Sequence, residues 1–328
     1  MSEVRAKKAL GQHFLVDLNI ARKICDALSG GERPGAGAET RANAAGYAGA
    51  GAETLTKATG TADADAETRR SVAASADARL AADTTAAGAP AAAEEERSGA
   101  VPCDVLEVGC GMGVLTQYLL RRGDITTYGA EIDPESVGYL HAHFPEFAPR
   151  LIEGDFLKMN LRERFPRGLK IIGNFPYNIS SQIFFKVLEH RDLVPECVGM
   201  IQKEVAVRIA EPPGSKEYGI LSVLLQAWYD IEYLFTVNET VFNPPPKVKS
   251  AVIRLRRNGV GRLGCDEALF VKVVKASFGQ RRKMIRNSLR AVFGDFGGAE
   301  HPFFTQRAEQ LSVADFVQLT DWVAANRK

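Results

Sequence analysis

Residues 105–123, VLEVGCGMGVLTQYLLRRG, decide the fold. A short apolar run at 105–108 meets Gly109, Gly111 and Gly113. A segment then follows whose Leu115, Leu119 and Leu120 share one helical face, and Gly123 ends it. Strand, glycine loop and helix in this order mark an open, mostly parallel α/β sheet that receives a nucleoside at the carboxyl ends of its strands.

The neighbouring segments extend the pattern. A second strand at 127–132 (TYGAEI) carries Glu131, 22 positions after Gly109, where a carboxylate can accept both hydroxyls of a ribose. The glycine spacing is G-x-G-x-G behind Glu107, and the dinucleotide spacing G-x-G-x-x-G does not occur here. Together these features favour S-adenosylmethionine over a nicotinamide dinucleotide. A strand end at 151–156 (LIEGDF) brings Asp155, read either as a ligand to the nucleoside or as a helix N-cap. A further strand at 169–177 (LKIIGNFPY) ends in Asn174-Phe175-Pro176-Tyr177.

That tetrapeptide suits methylation of an exocyclic amine, whose lone pair is delocalised into its ring and is a poor nucleophile. The Asn174 side-chain oxygen and the Pro176 carbonyl can accept the amine's N–H bonds and turn the lone pair toward a methyl donor. Pro176 has no N–H and restricts Phe175 to extended geometry. Tyr177 offers a stacking face. By itself the tetrapeptide reads equally well as a turn. A sulfonium donor is already activated, so positioning carries much of the catalysis without a metal.

Composition needs dividing before it is used. The chain has 328 residues, and 41 basic against 40 acidic residues leave it at +1, which argues against a nucleic-acid partner. Residues 31–100 distort that average. Twenty-five of these 70 positions are Ala, the large apolar side chains are Tyr47, Leu55, Val72 and Leu80, and GAGAET at 35–40 returns at 49–54. Such a tract cannot bury enough surface to offset the entropy of ordering it, and it reads as a low-complexity insertion, disordered or loosely helical. It carries −4, so the other 258 residues carry +5, and residues 256–328 alone carry +6.

The first fifteen residues lack the apolar core of a signal peptide, and no apolar run approaches the ~18–20 residues of a membrane span. Five cysteines with no C-x-x-C pair read as reduced thiols of a cytoplasmic protein, without a zinc site.

The whole set resembles the family of small-subunit ribosomal RNA adenine N6,N6-dimethyltransferases. The stretches that carry the resemblance are KKALGQHFL (7–15), LEVGCGMGVLT (106–116), EID (131–133), EGDFLK (153–158), GNFPYNISSQIFF (173–185), MIQKEVAVRI (200–209), YGILSVLLQ (218–226), FNPPPKVKSAVIRL (242–255) and FGQRRKMIRNSL (278–289). The resemblance implies a Rossmann-like class I methyltransferase domain at 1–30 and 101–257, interrupted by the insertion at 31–100, with a small helical rRNA-binding domain at 258–328. It implies transfer of methyl groups from S-adenosylmethionine to N6 of two adjacent adenosines near the 3′ end of small-subunit rRNA. The setting it implies is a monomer acting on a pre-30S-like particle, with a role in ribosome biogenesis.

Carried over by position, the cofactor residues are His13, Leu15, Gly109, Gly111, Glu131, Asp155 and Asn174. The family often has Asn where this chain has His13, which leaves that contact to the ring or to the backbone. Cys110 stands where Pro is common.

Adenine inside a helix cannot present N6 to a buried donor, so the base must leave the stack. Tyr177 is one face for it. Phe242 is either the other face or a core anchor for the proline-stiffened loop after it. The pattern over 268–292 predicts one helix on which Arg282, Arg286 and Arg290 recur every four residues beside Arg281 and Lys283. With no Asp or Glu between 268 and 294 this face suits phosphates, although a charge run is also read as a merely solvated face. Arg5, Lys7 and Lys8 add cations at the N-terminus. Two rival functions are a large-subunit rRNA methylase of the macrolide-resistance type and a noncatalytic assembly factor on the same fold. Deleting residues 31–100 is expected to leave thermal unfolding and methyl transfer nearly unchanged; a large loss of either would make the tract structural.

Overall fold

The computed structural model describes residues 4, 6, 7, 10–30 and 102–327. The Ala-rich tract, Arg5 and Lys8 lie outside the described residues. In chain order the strands are β1 (Phe14–Leu15), β2 (Cys103–Val108), β3 (Ile125–Glu131), β4 (Leu151–Glu153), β5 (Lys170–Asn174), β6 (Glu196–Gln202), β7 (Tyr229–Val237), β8 (Phe242–Asn243) and β9 (Ser250–Arg257). The helices are α1 (Leu18–Asp26), α2 (Thr116–Leu119), α3 (Pro134–His143), α4 (Leu161–Arg164), α5 (Ser180–Glu189), α6 (Lys203–Ala210), α7 (Ile220–Gln226), α8 (Glu267–Gly279), α9 (Ile285–Phe293) and α10 (Val313–Asn326).

Seven strands form one mixed sheet in the order β4-β3-β2-β5-β6-β9-β7. The first five are parallel, and β9 joins both β6 and β7 antiparallel. The chain builds outward from β2 through β3 to β4, then returns to place β5 on the other side of β2. That reversal opens a crevice beyond the carboxyl ends of β2 and β5, where the glycine loop and Asn174-Phe175-Pro176-Tyr177 emerge. β2 reads as a near-continuous apolar run because helices cover both faces of a parallel sheet, and five of its six residues are buried.

A cluster containing Leu106, Ile171 and Phe175 continues without a break through Trp228 to Phe270 and Val274 of α8 and Phe316 and Val323 of α10. Trp228 and Phe270 meet edge to face, with centroids 6.0 Å apart. Asp266 caps α8 by accepting the Leu269 N–H at 3.0 Å.

The single helix predicted over 268–292 is two. α8 ends at Gly279, Gln280 leaves helical geometry at φ −127° and ψ 57°, and α9 starts only after Met284. Met284 bridges Arg307, and the Ile285 N–H donates to the Gln306 carbonyl at 2.8 Å. A nonlocal backbone pairing therefore overrides the local helical period, and Arg282 lies off the face that carries Arg286 and Arg290.

Phe175 sets the geometry at the end of β5. It is 1% exposed and meets Phe184 edge to face at 5.9 Å. Its ring fills the space left by the absent side chains of Gly173 and Gly199, where a Cβ would come within 2.8 Å and 2.4 Å of it. Gly199→Ala is therefore expected to cost about 1–3 kcal/mol through overpacking. Thermal unfolding would show a fall of about 2–4 °C for each kcal/mol; an unchanged midpoint would refute this packing.

Candidate active site

Three backbone features open the crevice. Gly109, Gly111 and Gly113 have φ of 76°, 53° and 75°, a region that side chains other than glycine rarely adopt. A Cβ on Gly113 would also stand 2.5 Å from the Phe144 ring. The loop lets the backbone close tightly at the end of β2, and the Gly111 N–H reaches the Glu131 Oε2 at 2.8 Å. The other Glu131 oxygen accepts the N–H groups of Ile132 and Asp133, both at 2.9 Å. Burial raises the Glu131 carboxyl above its ordinary value against the pull of these three donors.

Glu107, the acid before the loop, is 1% exposed. Burial pushes its carboxyl up to about 8, opposed by the Thr116 hydroxyl donating at 2.6 Å and assisted by the negative charge of Glu131. It is protonated at neutral pH.

The resulting cavity, of about 370 Å³, is lined by His13, Leu15, Gly109, Gly111, Glu131, Asp155, Asn174, Pro176 and Tyr177, all expected from the sequence. Its described lining holds three carboxyl groups, on Glu107, Glu131 and Asp155, and no Lys or Arg. A pyrophosphate-bearing dinucleotide would find no cation here. A cationic nucleoside fits both the charge and a mostly apolar crevice of this size. Asp155 lines the cavity and also accepts the Leu157 N–H at 2.9 Å, the N-cap of its two readings.

Asn174 leaves β5 with its Nδ2 donating to the His13 carbonyl at 3.0 Å, so its Oδ1 is the amide's acceptor. The Pro176 carbonyl already accepts the Ile179 N–H at 3.1 Å and keeps a second lone pair. Tyr177 is half-buried, its hydroxyl hydrogen-bonded to Ser250 and its acidity weakened by burial. The His13 ring lies 5.4 Å from the Tyr177 ring at a 30° tilt and donates from Nδ1 to the Pro244 carbonyl at 2.8 Å.

Phe242 is not brought to this cavity. It is 4% exposed, pairs with Leu15 across β1 and β8, and packs in a cluster with Ile24 and Val252. Of its two readings the structure supports the core anchor, because the β1–β8 pairing turns its ring inward while the loop beyond it reaches His13.

The N-terminal strap is tied by residues that sequence reasoning missed. Asp133, whose side chain is fully buried, receives the Lys7 ammonium at 2.5 Å and the Gln12 amide at 3.2 Å. Burial works to raise its carboxyl, but these donors and the Glu135 N–H hold it below the ordinary value. Lys7 also meets Glu135 at 3.0 Å, so it serves the fold rather than a phosphate. Asp133 follows Glu131 in EID, and that motif was the available signal.

The arginine cluster is dispersed and largely engaged. Arg281 donates to the carbonyls of Lys216 and Tyr218 and lies 3.9 Å from Glu309. Arg286 pairs with Glu300, and Arg290 meets Asp295 at 3.2 Å. Arg282 and Lys283 are exposed. The acids missing from 268–294 thus arrive from later in the chain.

Among the described residues no group of three or more His, Cys, Asp or Glu is placed to hold a metal ion. No described helix is long and apolar enough to cross a membrane.

Residues 102–325 match the family model described as ribosomal RNA adenine dimethylase. The ribosomal RNA small subunit methyltransferase A of Parabacteroides distasonis is 47% identical over 322 residues, covering 98% of this chain and 94% of that protein. The protein of the same name from Bacteroides thetaiotaomicron is 59% identical over 221 residues, 67% of this chain and 82% of its own. Among solved structures, a dimethyladenosine transferase from Plasmodium falciparum superposes with a TM-score of 0.57 at 25% identity, covering 68% of this chain and 90% of that one.

The Glu107 environment has a measurable consequence. A carboxyl raised from 4.5 to about 8 binds its proton more tightly in the folded state, so its contribution is intact below pH 4.5 and is lost as pH rises to about 8. The loss is on the order of 5 kcal/mol. Glu107→Gln cannot ionise, so its melting temperature relative to the parent should climb between pH 5 and 8 and then level. A constant difference across that range would show that Glu107 does not titrate there.

Proposed function

This chain belongs to the ribosomal RNA adenine dimethylase family, and we propose that the cavity at the ends of β2 and β5 is where it methylates rRNA adenines. The enzyme is a methyltransferase dependent on S-adenosylmethionine that acts on small-subunit (16S) rRNA. The product we assign is N6,N6-dimethyladenosine at two adjacent positions near the 3′ end. The observation that carries the assignment is Asn174, whose Oδ1 has no partner among the described residues, in an acid-lined cavity whose described lining holds no Lys or Arg.

In this reading the backbone at Gly109 and Gly111, with Leu15, His13, Glu131 and Asp155, holds the methyl donor. The cavity's carboxyl groups suit its positive charge, and Glu131 would exchange part of its backbone bonding for the ribose hydroxyls. S-adenosylmethionine supplies an activated methyl group, so this chain's own task is to orient the acceptor nitrogen. Asn174 Oδ1 and the second lone pair of the Pro176 carbonyl take the two N–H bonds of adenine N6. The nitrogen lone pair is thereby turned out of conjugation. The Tyr177 ring carries the unstacked base, and its hydroxyl is pinned by Ser250 so that the platform does not rotate away. No strong base is needed first, because the nitrogen becomes acidic once alkylated.

Arg282 and Lys283 are the members of the C-terminal cluster best placed for phosphates, within a helical rRNA-binding segment at 258–328. We infer a monomer acting in the cytoplasm on a pre-30S-like particle. Asn174→Ala should abolish transfer while leaving RNA binding and thermal stability nearly unchanged. Labelled S-adenosylmethionine with small- and large-subunit particles reads both points. An unchanged kcat would remove Asn174 from its role, and label confined to large-subunit RNA would overturn the substrate.

A further inference from the structure

We propose that Lys203 and Lys249 form a phosphate clamp beside the target base, gripping the backbone of the single-stranded rRNA that carries it. This rests on the reading of the cavity as an rRNA adenine methylation site. The two lysines are far apart in sequence and are brought together by the antiparallel pairing of β6 and β9. The last pair of that ladder is Gln202–Ser250. One step beyond it, the Lys203 N–H donates to the Lys249 carbonyl at 2.9 Å, so the two lysines are backbone neighbours at the ladder's end.

Such a pair is unfavourable by itself, because like charges directly opposite in an antiparallel pair repel. Lys203 also opens α6, where the helix macrodipole disfavours a cation. Both lysines are exposed, and neither has an ion-pair partner among the described residues. Glu204, the adjacent acid, is paired with Arg208 at 3.3 Å. The contrast is with Arg281, Arg286 and Arg290, which each have a carboxylate within 4 Å.

The place of the pair supplies the reason to keep it. Met200 of β6 pairs with Asn174 of β5, so Lys203 stands three residues beyond the catalytic asparagine, roughly 10 Å of extended chain. Lys249 precedes Ser250, whose hydroxyl holds Tyr177. Two unneutralised cations therefore flank the elements that present Asn174 and Tyr177. A strand whose base is drawn out onto Tyr177 has its backbone phosphates at this rim. Phosphate contacts of this kind fix register and orientation without reading sequence.

The test uses the full chain, its Lys203→Ala/Lys249→Ala double variant and the Lys203→Arg/Lys249→Arg double variant. Binding of a single-stranded RNA oligonucleotide is titrated over a range of salt, and methyl transfer to small-subunit particles is measured separately. The alanine variant should lower the slope of log K against log salt by about 1.4, the value for two single-strand phosphate contacts. KM for RNA should rise at least several-fold, with kcat and S-adenosylmethionine affinity held. Arginine should restore both slope and KM, and the alanine variant should melt no lower than the parent. Equal slopes for parent and alanine variant would overturn the clamp. A variant with lowered kcat and weakened cofactor binding would overturn it too, by making the lysines structural. If the parent fails to label any rRNA while the slope difference persists, the methylation reading falls and the clamp stands.

Discussion

Phe175 occupies a space that exists only because two neighbouring strands carry glycine, at Gly173 and Gly199. Much of the site depends on that insertion. Successive residues of a strand point to opposite faces. Driving Phe175 into the core therefore turns Asn174 and the chain after Pro176 toward the crevice. The Phe175 N–H donates to the Met200 carbonyl at 3.0 Å, so the turn is held by backbone as well as by packing. The tetrapeptide is thus one aromatic anchor and three half-buried groups that line the cavity. A bulkier residue at either glycine would move the acceptor atoms as a unit.

The second constraint is electrostatic. A cavity whose described lining has three carboxyl groups and no cation would repel itself if every acid were ionised. Burial resolves this by keeping Glu107 protonated near neutrality, while Glu131 is braced by three N–H donors and Asp155 by one. The site is thus acidic without being heavily charged, which suits a cationic ligand and rejects phosphates. At the rim, by contrast, the end of the β6–β9 ladder carries Lys203 and Lys249, which have no ion-pair partner among the described residues. Inside and rim have opposite electrostatic character, and a donor and a nucleic acid can be sorted between them on that basis alone.

What could be read from the sequence was local. The β2 strand, the glycine loop, Glu131 and the end of β5 are each coded within a few residues, by apolar runs and by glycines that the backbone requires. What could not be read depends on pairings between distant segments. Phe242 faces the core because β8 pairs with β1, more than 200 residues earlier in the chain. The helix expected over 268–292 breaks because Met284 bridges Arg307. The arginine face looks unbalanced over 268–294 because its acids, Asp295, Glu300 and Glu309, lie just after that stretch in the chain. Charge alone does not mark a nucleic-acid contact. Whether a charge is paired is visible only in three dimensions.

The same topology sets Gly30 and the start of β2 at the end of the sheet opposite the cavity. Parallel strands place their functional loops at the carboxyl ends, so the amino-terminal ends of β2 and β5 are free for other uses. The chain leaves the described structure at Gly30 on that side. Its carbonyl accepts the Lys170 ammonium at 2.7 Å, and Lys170 lies opposite Val105 of β2. Arg122 grips the carbonyls of Cys25, Leu28 and Ser29, Arg254 that of Ala27, and Lys170 pairs with buried Glu196 at 3.2 Å. Three cations thus fix the end of α1 before the tract begins, and β2 starts from its own pairing with β3 and β5. The strap that carries His13 and Leu15 is secured separately, by the Lys7 and Gln12 bonds to Asp133 and by the β1–β8 pairing.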